Sequence, residues 1–121
     1  MRNWPNAPYS GYSVGAALIS EAGIFTGVNV ENVSYGATIC AERSAIVAMA
    51  AAGGRAITRL VVFTPDGGSP CGICLQVIAE FAGPELPILL VSADRVERVR
   101  LADLFPRAFA SGEVGRAQVS G

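Results

Sequence analysis

The chain has 121 residues, 51% of them hydrophobic and 16% charged, and its net charge of −1 comes from nine arginines, no lysine and ten acidic residues. This predicts one domain over residues 1–121 with a single core, and the near-neutral balance argues against a nucleic-acid partner. The N-terminus has no apolar signal segment and no stretch reaches the roughly 18 apolar residues of a membrane span, so we expect a cytoplasmic protein without a membrane partner.

The first third of the sequence indicates a β-hairpin. Residues 1–11, which include a short N-terminal segment at residues 1–6, are polar and rich in proline and glycine, and we expect them to lie over a neighbouring element. Strands are predicted at residues 14–19 and 24–28, on either side of a Glu-Ala-Gly turn. Residues 29–32, Asn-Val-Glu-Asn, then leave the sheet, and a turn is the plainest interpretation of them because asparagine favours turns.

A helix is predicted over residues 39–52, with Thr38 as its N-cap and two glycines as its stop. Cys40 then lies in the first turn, where the positive end of the helix dipole stabilises a thiolate and makes it a better metal ligand. The next element is a wholly apolar strand at residues 60–63, which is typical of the middle of a covered sheet.

A second helix is predicted to begin with Ser69 as its cap and a proline at its first position, and to end near residues 81–84. Cys71 and Cys74 share its first turn and, three residues apart, lie on one face. A buried strand at residues 88–91 completes a βαβ unit with the strand before the helix.

The last third predicts an edge strand at residues 96–101, a helical turn at residues 101–105 and a loose tail at residues 111–121. Loops that precede helices in an α/β sheet meet at one edge, where ligands bind. We therefore expect the cysteines at the two helix starts to converge there.

The chain contains three cysteines and no histidine. An odd number suits reduced thiols and a metal better than a disulfide framework. A structural zinc site has four protein ligands, whereas a catalytic site keeps one position for water or substrate. Unless a carboxylate fills the fourth position, Cys40, Cys71 and Cys74 predict a reactive zinc site. A redox pair at Cys71 and Cys74 and three inert buried cysteines remain alternative interpretations.

The residues after Cys40 supply the remaining chemistry. Glu42 is too near Cys40 in sequence to bind the same ion comfortably, so its carboxylate is available to move protons on a water molecule that zinc acidifies from a pKa of roughly 15.7 to about 7. Three thiolates give the centre a net negative charge that a cation should offset. Arg43 is the available cation, and an exposed helix arginine is the alternative.

Several motifs in this order resemble the small zinc-dependent cytidine deaminases. They are Ala-Pro-Tyr-Ser at 7–10, Val-Gly-Ala-Ala at 14–17, Gly-Val-Asn-Val-Glu-Asn at 27–32, Ser-Tyr-Gly at 34–36, Cys-Ala-Glu-Arg at 40–43, Pro-Cys-Gly-Ile-Cys at 70–74 and Leu-Phe-Pro-Arg-Ala-Phe at 104–109. The resemblance implies a three-layer α/β/α cytidine-deaminase-like fold with a mixed sheet of about five strands. It also implies a small-molecule nucleoside substrate and hydrolysis of cytidine or deoxycytidine to uridine or deoxyuridine plus ammonia, in pyrimidine salvage.

The resemblance implies a role for each matching residue. Cys40, Cys71 and Cys74 would hold Zn²⁺, and Glu42 would carry a proton from water to the ring nitrogen and then to the leaving amine, while the water oxygen attacks C4. The other implied site residues are Asn29 and Glu31 at the ribose hydroxyls, the backbone of Ala41 at the base edge, Tyr12 flanking the site, Tyr35 near a subunit junction and Phe109 on the base from a neighbouring subunit. A homotetramer with shared active sites is also implied, which agrees with the low charged fraction.

The sequence departs from the family pattern at three places. Only six residues precede Ala7, where the family usually has a helix, Leu75 replaces a usual arginine, and Tyr12 replaces a usual phenylalanine. A deaminase of another aminopyrimidine nucleoside or nucleoside-like antibiotic is therefore an alternative. A non-catalytic zinc-binding module is the alternative from a different functional class.

Overall fold

The computed structural model describes residues 5–107, which form a sheet and the helices that pack on it. The strands are β1 (Gly15–Ser20), β2 (Gly23–Val28), β3 (Ile57–Phe63), β4 (Pro87–Val91) and β5 (Val96–Arg100), and the helices are α1 (Ala41–Ala51), α2 (Gly72–Phe81) and α3 (Leu101–Leu104), with a 3₁₀ turn at Tyr35–Ala37. The predicted tail at residues 111–121 and residues 1–4 of the predicted N-terminal segment lie outside the described residues.

The sheet has the strand order β2-β1-β3-β4-β5. Strands β1 and β2 form the predicted antiparallel hairpin, and β3 and β4 are parallel neighbours connected through α2. The pairs β1–β3 and β4–β5 are antiparallel. Strand β5 stands at one end of the strand order and is therefore an edge strand, as predicted. The predicted α/β fold with a mixed sheet of about five strands is confirmed.

The helices cover one face of this sheet. Alternate strand residues point to the same face, and here the buried ones meet the buried aliphatic side chains of all three helices in a single core cluster. Its members are Ala16, Leu18, Ala41, Ala45, Ile46, Met49, Ile57, Leu60, Val62, Leu75, Ile78, Leu86, Ile88, Leu90 and Leu101. Within residues 5–107 the helices therefore form one layer, which places the starts of α1 and α2 side by side. The second helical layer of the predicted α/β/α arrangement is not found among these residues.

The opposite face of the sheet is apolar but exposed. Its residues include Ile24, which is 71% exposed, and Phe63. Two cavities of about 530 and 430 Å³ open on this face, and none of the predicted site residues within 5–107 lines them. These cavities are larger than the one near the predicted site, so size alone does not locate the chemistry.

Both helices begin two residues later than the sequence predicted. The prediction of Thr38 as an N-cap is wrong, because Ile39 pairs with Val30 through backbone hydrogen bonds of 2.8 and 2.9 Å and is therefore extended. The same pairing makes the plain turn interpretation of residues 29–32 wrong at Val30. Ser69 is not the cap of α2 either, because Cys71 takes that position and the proline precedes the helix.

The N-terminal segment and the length of the helices were also predicted from the sequence. The predicted N-terminal segment does lie over a neighbour, since Asn6 forms a parallel bridge with Val30. In the described part of the chain, the helices are too short and not apolar enough to cross a membrane.

Candidate active site

Three cysteine sulfur atoms converge where α1 and α2 begin. The Sγ atoms of Cys40 and Cys71 are 3.9 Å apart and those of Cys71 and Cys74 are 3.4 Å apart, and all three lie within 4.8 Å of one another. A tetrahedral zinc ion with Zn–S bonds of about 2.3 Å holds its sulfurs about 3.8 Å apart. The spacing and chemistry of this donor set therefore fit zinc.

The local structure at each helix start places the sulfurs. Cys40 is the N-cap of α1 and Cys71 is the N-cap of α2, and both have extended backbone and no side-chain capping hydrogen bond. Their carbonyls accept the first helical hydrogen bonds, at 3.0 and 2.9 Å. The N–H groups of a first helical turn carry positive potential, which favours negatively charged sulfur nearby. Cys74, the third residue of α2, lies on the same side.

The two cysteines of α2 have different surroundings. Cys74 is fully buried, and burial together with the negative charge of Glu42 raises the pKa of its thiol. Cys71 is exposed. Although desolvation acts to raise the pKa of the Cys71 thiol, hydrogen bonds from the backbone and side chain of Cys74 leave it below its usual value. Before a metal binds, Cys71 is thus the sulfur that more readily carries negative charge.

Glu42 lies directly beside the sulfurs, as the second residue of α1. It is only 4% exposed, and burial raises the pKa of its carboxyl above the usual range, which the nearby Arg43 charge offsets only in part. A buried carboxyl with a raised pKa exchanges protons more readily near neutral pH than an exposed one. This environment suits an acid/base group.

Arg43 points toward the sulfurs from the same helical turn. Its Nη2 atom donates to the carbonyl of Thr38 at 3.0 Å and lies 3.7 Å from the Sγ atom of Cys40. The contact with Cys40 raises the pKa of the guanidinium. Its Nε atom is buried and has no hydrogen-bond partner among residues 5–107. The structure thus places a permanent cation against the three sulfurs, whereas an exposed helix arginine would not contact them.

The predicted ribose residues make hydrogen bonds within the protein. The Asn29 amide is buried, accepting from the backbone N–H of Val14 at 3.0 Å and donating to the carbonyl of Tyr12 at 2.8 Å. The Glu31 carboxylate accepts from the backbone N–H groups of Tyr9 and Ser10 at 3.0 and 3.1 Å and from the Ser10 hydroxyl, which lowers the pKa of the carboxyl. A contact with the sugar stays a prediction for both residues.

The other predicted residues are distributed around the cluster. Ala41 is buried at the start of α1, and Tyr35 is 77% exposed with its ring edge-on to Tyr9, 6.4 Å between centroids. A cavity of about 220 Å³ lies between the two tyrosines and Glu31. It is lined by Tyr9, Ser10, Glu31, Asn32, Tyr35 and Thr38. Phe109 lies outside the described residues.

Two residues that shape the site were missed by the sequence analysis. A Cβ atom on Gly27 of β2 would lie 2.4 Å from both the carbonyl oxygen of Ala41 and the backbone nitrogen of Ala45, so only glycine lets α1 approach β2 this closely. Asp66 accepts a hydrogen bond from the Tyr12 hydroxyl at 2.5 Å. No local signal reveals this contact, because it joins residues 54 positions apart.

Comparison with known proteins gives a consistent result. A family model for the cytidine and deoxycytidylate deaminase zinc-binding region matches residues 2–90. The chain is 41% identical over 114 residues to a cytidine deaminase of Sporosarcina psychrophila, covering 91% of this chain and 84% of the relative. It is 42% identical over 112 residues to a cytidine deaminase of Mycobacterium tuberculosis (strain ATCC 25618 / H37Rv), covering 90% and 81%.

Solved structures agree with these sequence matches. The crystal structure of a cytidine deaminase from Burkholderia pseudomallei superposes with a TM-score of 0.82 at 41% identity, covering 89% of this chain and 90% of that chain. The crystal structure of the Mycobacterium tuberculosis cytidine deaminase superposes with a TM-score of 0.73 at 40% identity, covering 89% and 87%.

Proposed function

Because the chain belongs to the family of zinc-binding cytidine and deoxycytidylate deaminases, we propose that it hydrolyses cytidine or deoxycytidine to uridine or deoxyuridine plus ammonia. The observation that carries this conclusion is the cluster of three sulfurs beside the buried carboxyl of Glu42. A thiol redox pair would leave Cys40 and Glu42 without a function, and a purely structural metal site has no use for a buried acid beside it.

The chain's own residues account for binding and proton transfer. Cys40, Cys71 and Cys74 would hold zinc, and when bound the ion supplies hydrolytic chemistry by acidifying a water molecule. Glu42 accepts one proton of the water at a carboxylate oxygen and delivers it to the ring nitrogen of the pyrimidine as the water oxygen bonds to C4. It then takes the second proton from that oxygen and passes it to the amine, so that the C4–N bond breaks, ammonia leaves and a carbonyl forms at C4. The Ala41 backbone, which precedes Glu42 in the same helical turn, would read the base edge.

Arg43 keeps the negatively charged sulfurs compatible with this reaction. Three thiolates around a divalent cation leave an excess negative charge that would weaken its ability to acidify water. A guanidinium 3.7 Å from the Sγ atom of Cys40 offsets part of that charge. Leu75, where the family usually has arginine, is buried in the core and offers no such charge.

The sugar assignment to Asn29 and Glu31 is testable with Glu31→Ala. If the carboxylate contacts the ribose hydroxyls, this variant should raise KM for cytidine by about tenfold or more, because hydrogen bonds to charged groups are strong. Glu31 also anchors the backbone of Tyr9 and Ser10, so substrate comparison separates the two roles. With 2′,3′-dideoxycytidine, which lacks the 2′- and 3′-hydroxyls and keeps the 5′-hydroxyl, the same variant should change KM far less. Equal increases for both substrates would contradict a contact with the 2′- and 3′-hydroxyls.

Assembly into a homotetramer with shared active sites is part of the proposal, with Phe109 reaching the base of a neighbouring subunit. Exposed apolar side chains support it, among them Val33, Tyr35, Ile39 and Ile73 around the two helix starts and Val47 farther along α1. Sedimentation at micromolar concentration should give a species four times the chain mass, and a monomer would contradict it.

A cytoplasmic location in pyrimidine salvage fits the three unpaired thiols of a reducing compartment.

The decisive experiment follows the loss of absorbance in the cytidine band for a small panel of aminopyrimidine nucleosides. Turnover of cytidine or deoxycytidine that is lost on chelation and restored by Zn²⁺ is expected. A protein that binds zinc but turns over no nucleoside would be a non-catalytic module. Faster turnover of another aminopyrimidine nucleoside would identify that compound as the substrate in place of cytidine.

A further inference from the structure

A side-chain hydrogen bond joins two distant segments beside the site. The Tyr12 hydroxyl donates to the Oδ1 atom of Asp66 at 2.5 Å. Tyr12 precedes β1, whereas Asp66 follows β3 in the loop that leads to Cys71. The contact therefore ties the N-terminal side of the site to the loop that delivers two of the three sulfurs.

Tyr12 is also held at its backbone. Its carbonyl accepts from the Asn29 amide at 2.8 Å, and the same amide accepts from the backbone N–H of Val14 at 3.0 Å. The residue is thus held at its backbone carbonyl by Asn29, which follows β2, and at its ring hydroxyl by Asp66. The first contact constrains the backbone from which the ring extends, and the second constrains the far end of the ring.

The loop around Asp66 is built closely around this contact. The Oδ1 atom that binds Tyr12 also accepts from the backbone N–H of Gly68 at 3.0 Å, and Gly67 has a positive φ of 76°. A Cβ atom on Gly68 would lie 3.2 Å from both the Tyr12 hydroxyl and Asp66 Oδ1. The hydroxyl therefore packs directly on the chain three residues before Cys71.

The family resemblance places Tyr12 beside the nucleoside, and its hydroxyl lies against the loop that leads to Cys71. It is 38% exposed, and the negative charge of Glu42 is among the influences that raise the pKa of its hydroxyl, after burial and the hydrogen bond to Asp66. The hydroxyl thus stays protonated and keeps its donor role at neutral pH. A change at Asp66 would reach the nucleoside through this ring, because Asp66 lies on the far side of the hydroxyl.

We propose that Asp66 is a positioning residue for the nucleoside, acting through its hydrogen bond to Tyr12, which holds the ring as one wall of the site. This inference rests on the proposed function and extends it to a residue outside the metal ligands and the proton carrier. Since the sulfurs and Glu42 are held by α1 and α2, losing the Tyr12–Asp66 contact should weaken nucleoside binding and leave the chemical step nearly intact.

The test compares Asp66→Ala, Asp66→Asn, Tyr12→Phe and the double variant Tyr12→Phe/Asp66→Ala by steady-state kinetics. Asp66→Ala and Tyr12→Phe should each raise KM for cytidine by about tenfold, with kcat within about twofold, as expected for the loss of one charge-assisted hydrogen bond. The double variant should be no worse than the poorer single variant. Asp66→Asn keeps an acceptor oxygen and should retain most of the affinity.

Several controls distinguish this role from general damage. Glu80→Ala removes an exposed acid from the far end of α2 and should leave KM unchanged. Calorimetric binding of uridine should weaken in step with KM, while zinc content stays at the wild-type level. Unchanged KM in Asp66→Ala, or multiplied effects in the double variant, would overturn the positioning role. An Asp66→Asn variant as poor as Asp66→Ala would also overturn it, whereas an inactive wild type would overturn the proposed function itself.

Discussion

The helices α1 and α2 both begin at an extended cysteine, yet they are held in place differently. The start of α1 lies against β2, where a Cβ on Gly27 would come within 2.4 Å of the α1 backbone. The start of α2 is more open, because Cys71 is exposed and no atom of the described residues lies within 4 Å of a Cβ on Gly72. The start of α1 is fixed by backbone packing against β2, whereas the start of α2 is held by the loop that precedes it.

This difference matches the chemistry assigned to each helix. Proton transfer requires an acid/base group to stay within hydrogen-bonding reach of the reacting atoms, and small displacements are costly. Glu42 is carried by the tightly packed start of α1. The start of α2 supplies two sulfurs, which a metal ion itself can hold in place once it binds. The more open start also leaves space beside Cys71 for a ligand.

The largest effect is expected for Glu42, which lies at the tightly packed start of α1. Glu42→Gln should lower kcat by about 10²- to 10⁴-fold, because the amide keeps the shape of the side chain and cannot carry the proton. Zinc content should remain at the wild-type level, since the three sulfurs are unchanged. Turnover and elemental analysis of the same preparation measure both quantities. Rates equal to wild type would contradict the proton-carrier role, with Glu80→Gln as the control for an exposed glutamate.

The same comparison explains what sequence could predict. Local signals place Cys40, Cys71 and Cys74 near a helix start, although both predicted capping residues lie two positions too early, and an α/β arrangement brings helix starts to one edge of the sheet. Short-range patterns also predict the β1–β2 hairpin and the β3–α2–β4 unit. Local propensity and the parallel connection therefore suffice to locate the sulfurs.

What the sequence could not predict depends on contacts between distant segments. The start of α1 is set by the pairing of Ile39 with Val30, which overrides the capping preference of Thr38. The need for glycine at position 27 appears only when α1 lies on β2. The partner of Tyr12 is 54 residues away in a loop that the sequence identifies only as glycine-rich. Tertiary packing determines each of these features, so no local pattern encodes it.

A second prediction tests the packing of α1 directly. Gly27→Ala should lower the free energy of unfolding by about 3 kcal/mol, because the new methyl group would overlap the backbone of α1 and force the helix away from β2. Denaturant unfolding of the metal-free variant and the wild type measures this cost. Gly36→Ala is the matched control, since a Cβ there has no neighbour within 4 Å in the part of the chain that the structure describes. A variant as stable as the wild type would show that α1 does not depend on this close approach.

The smallest effect is expected at the start of α2. Gly72 is the first residue of that helix, its φ is not positive and its Cβ position is open. Gly72→Ala should therefore raise the free energy of unfolding by about 0.5 kcal/mol, since alanine loses less backbone entropy than glycine in a helix. Denaturant unfolding under the conditions used for Gly27→Ala makes the two results comparable. A loss of stability as large as that of Gly27→Ala would mean that the α2 start is packed as tightly as the α1 start, and the contrast between the two helices would not hold.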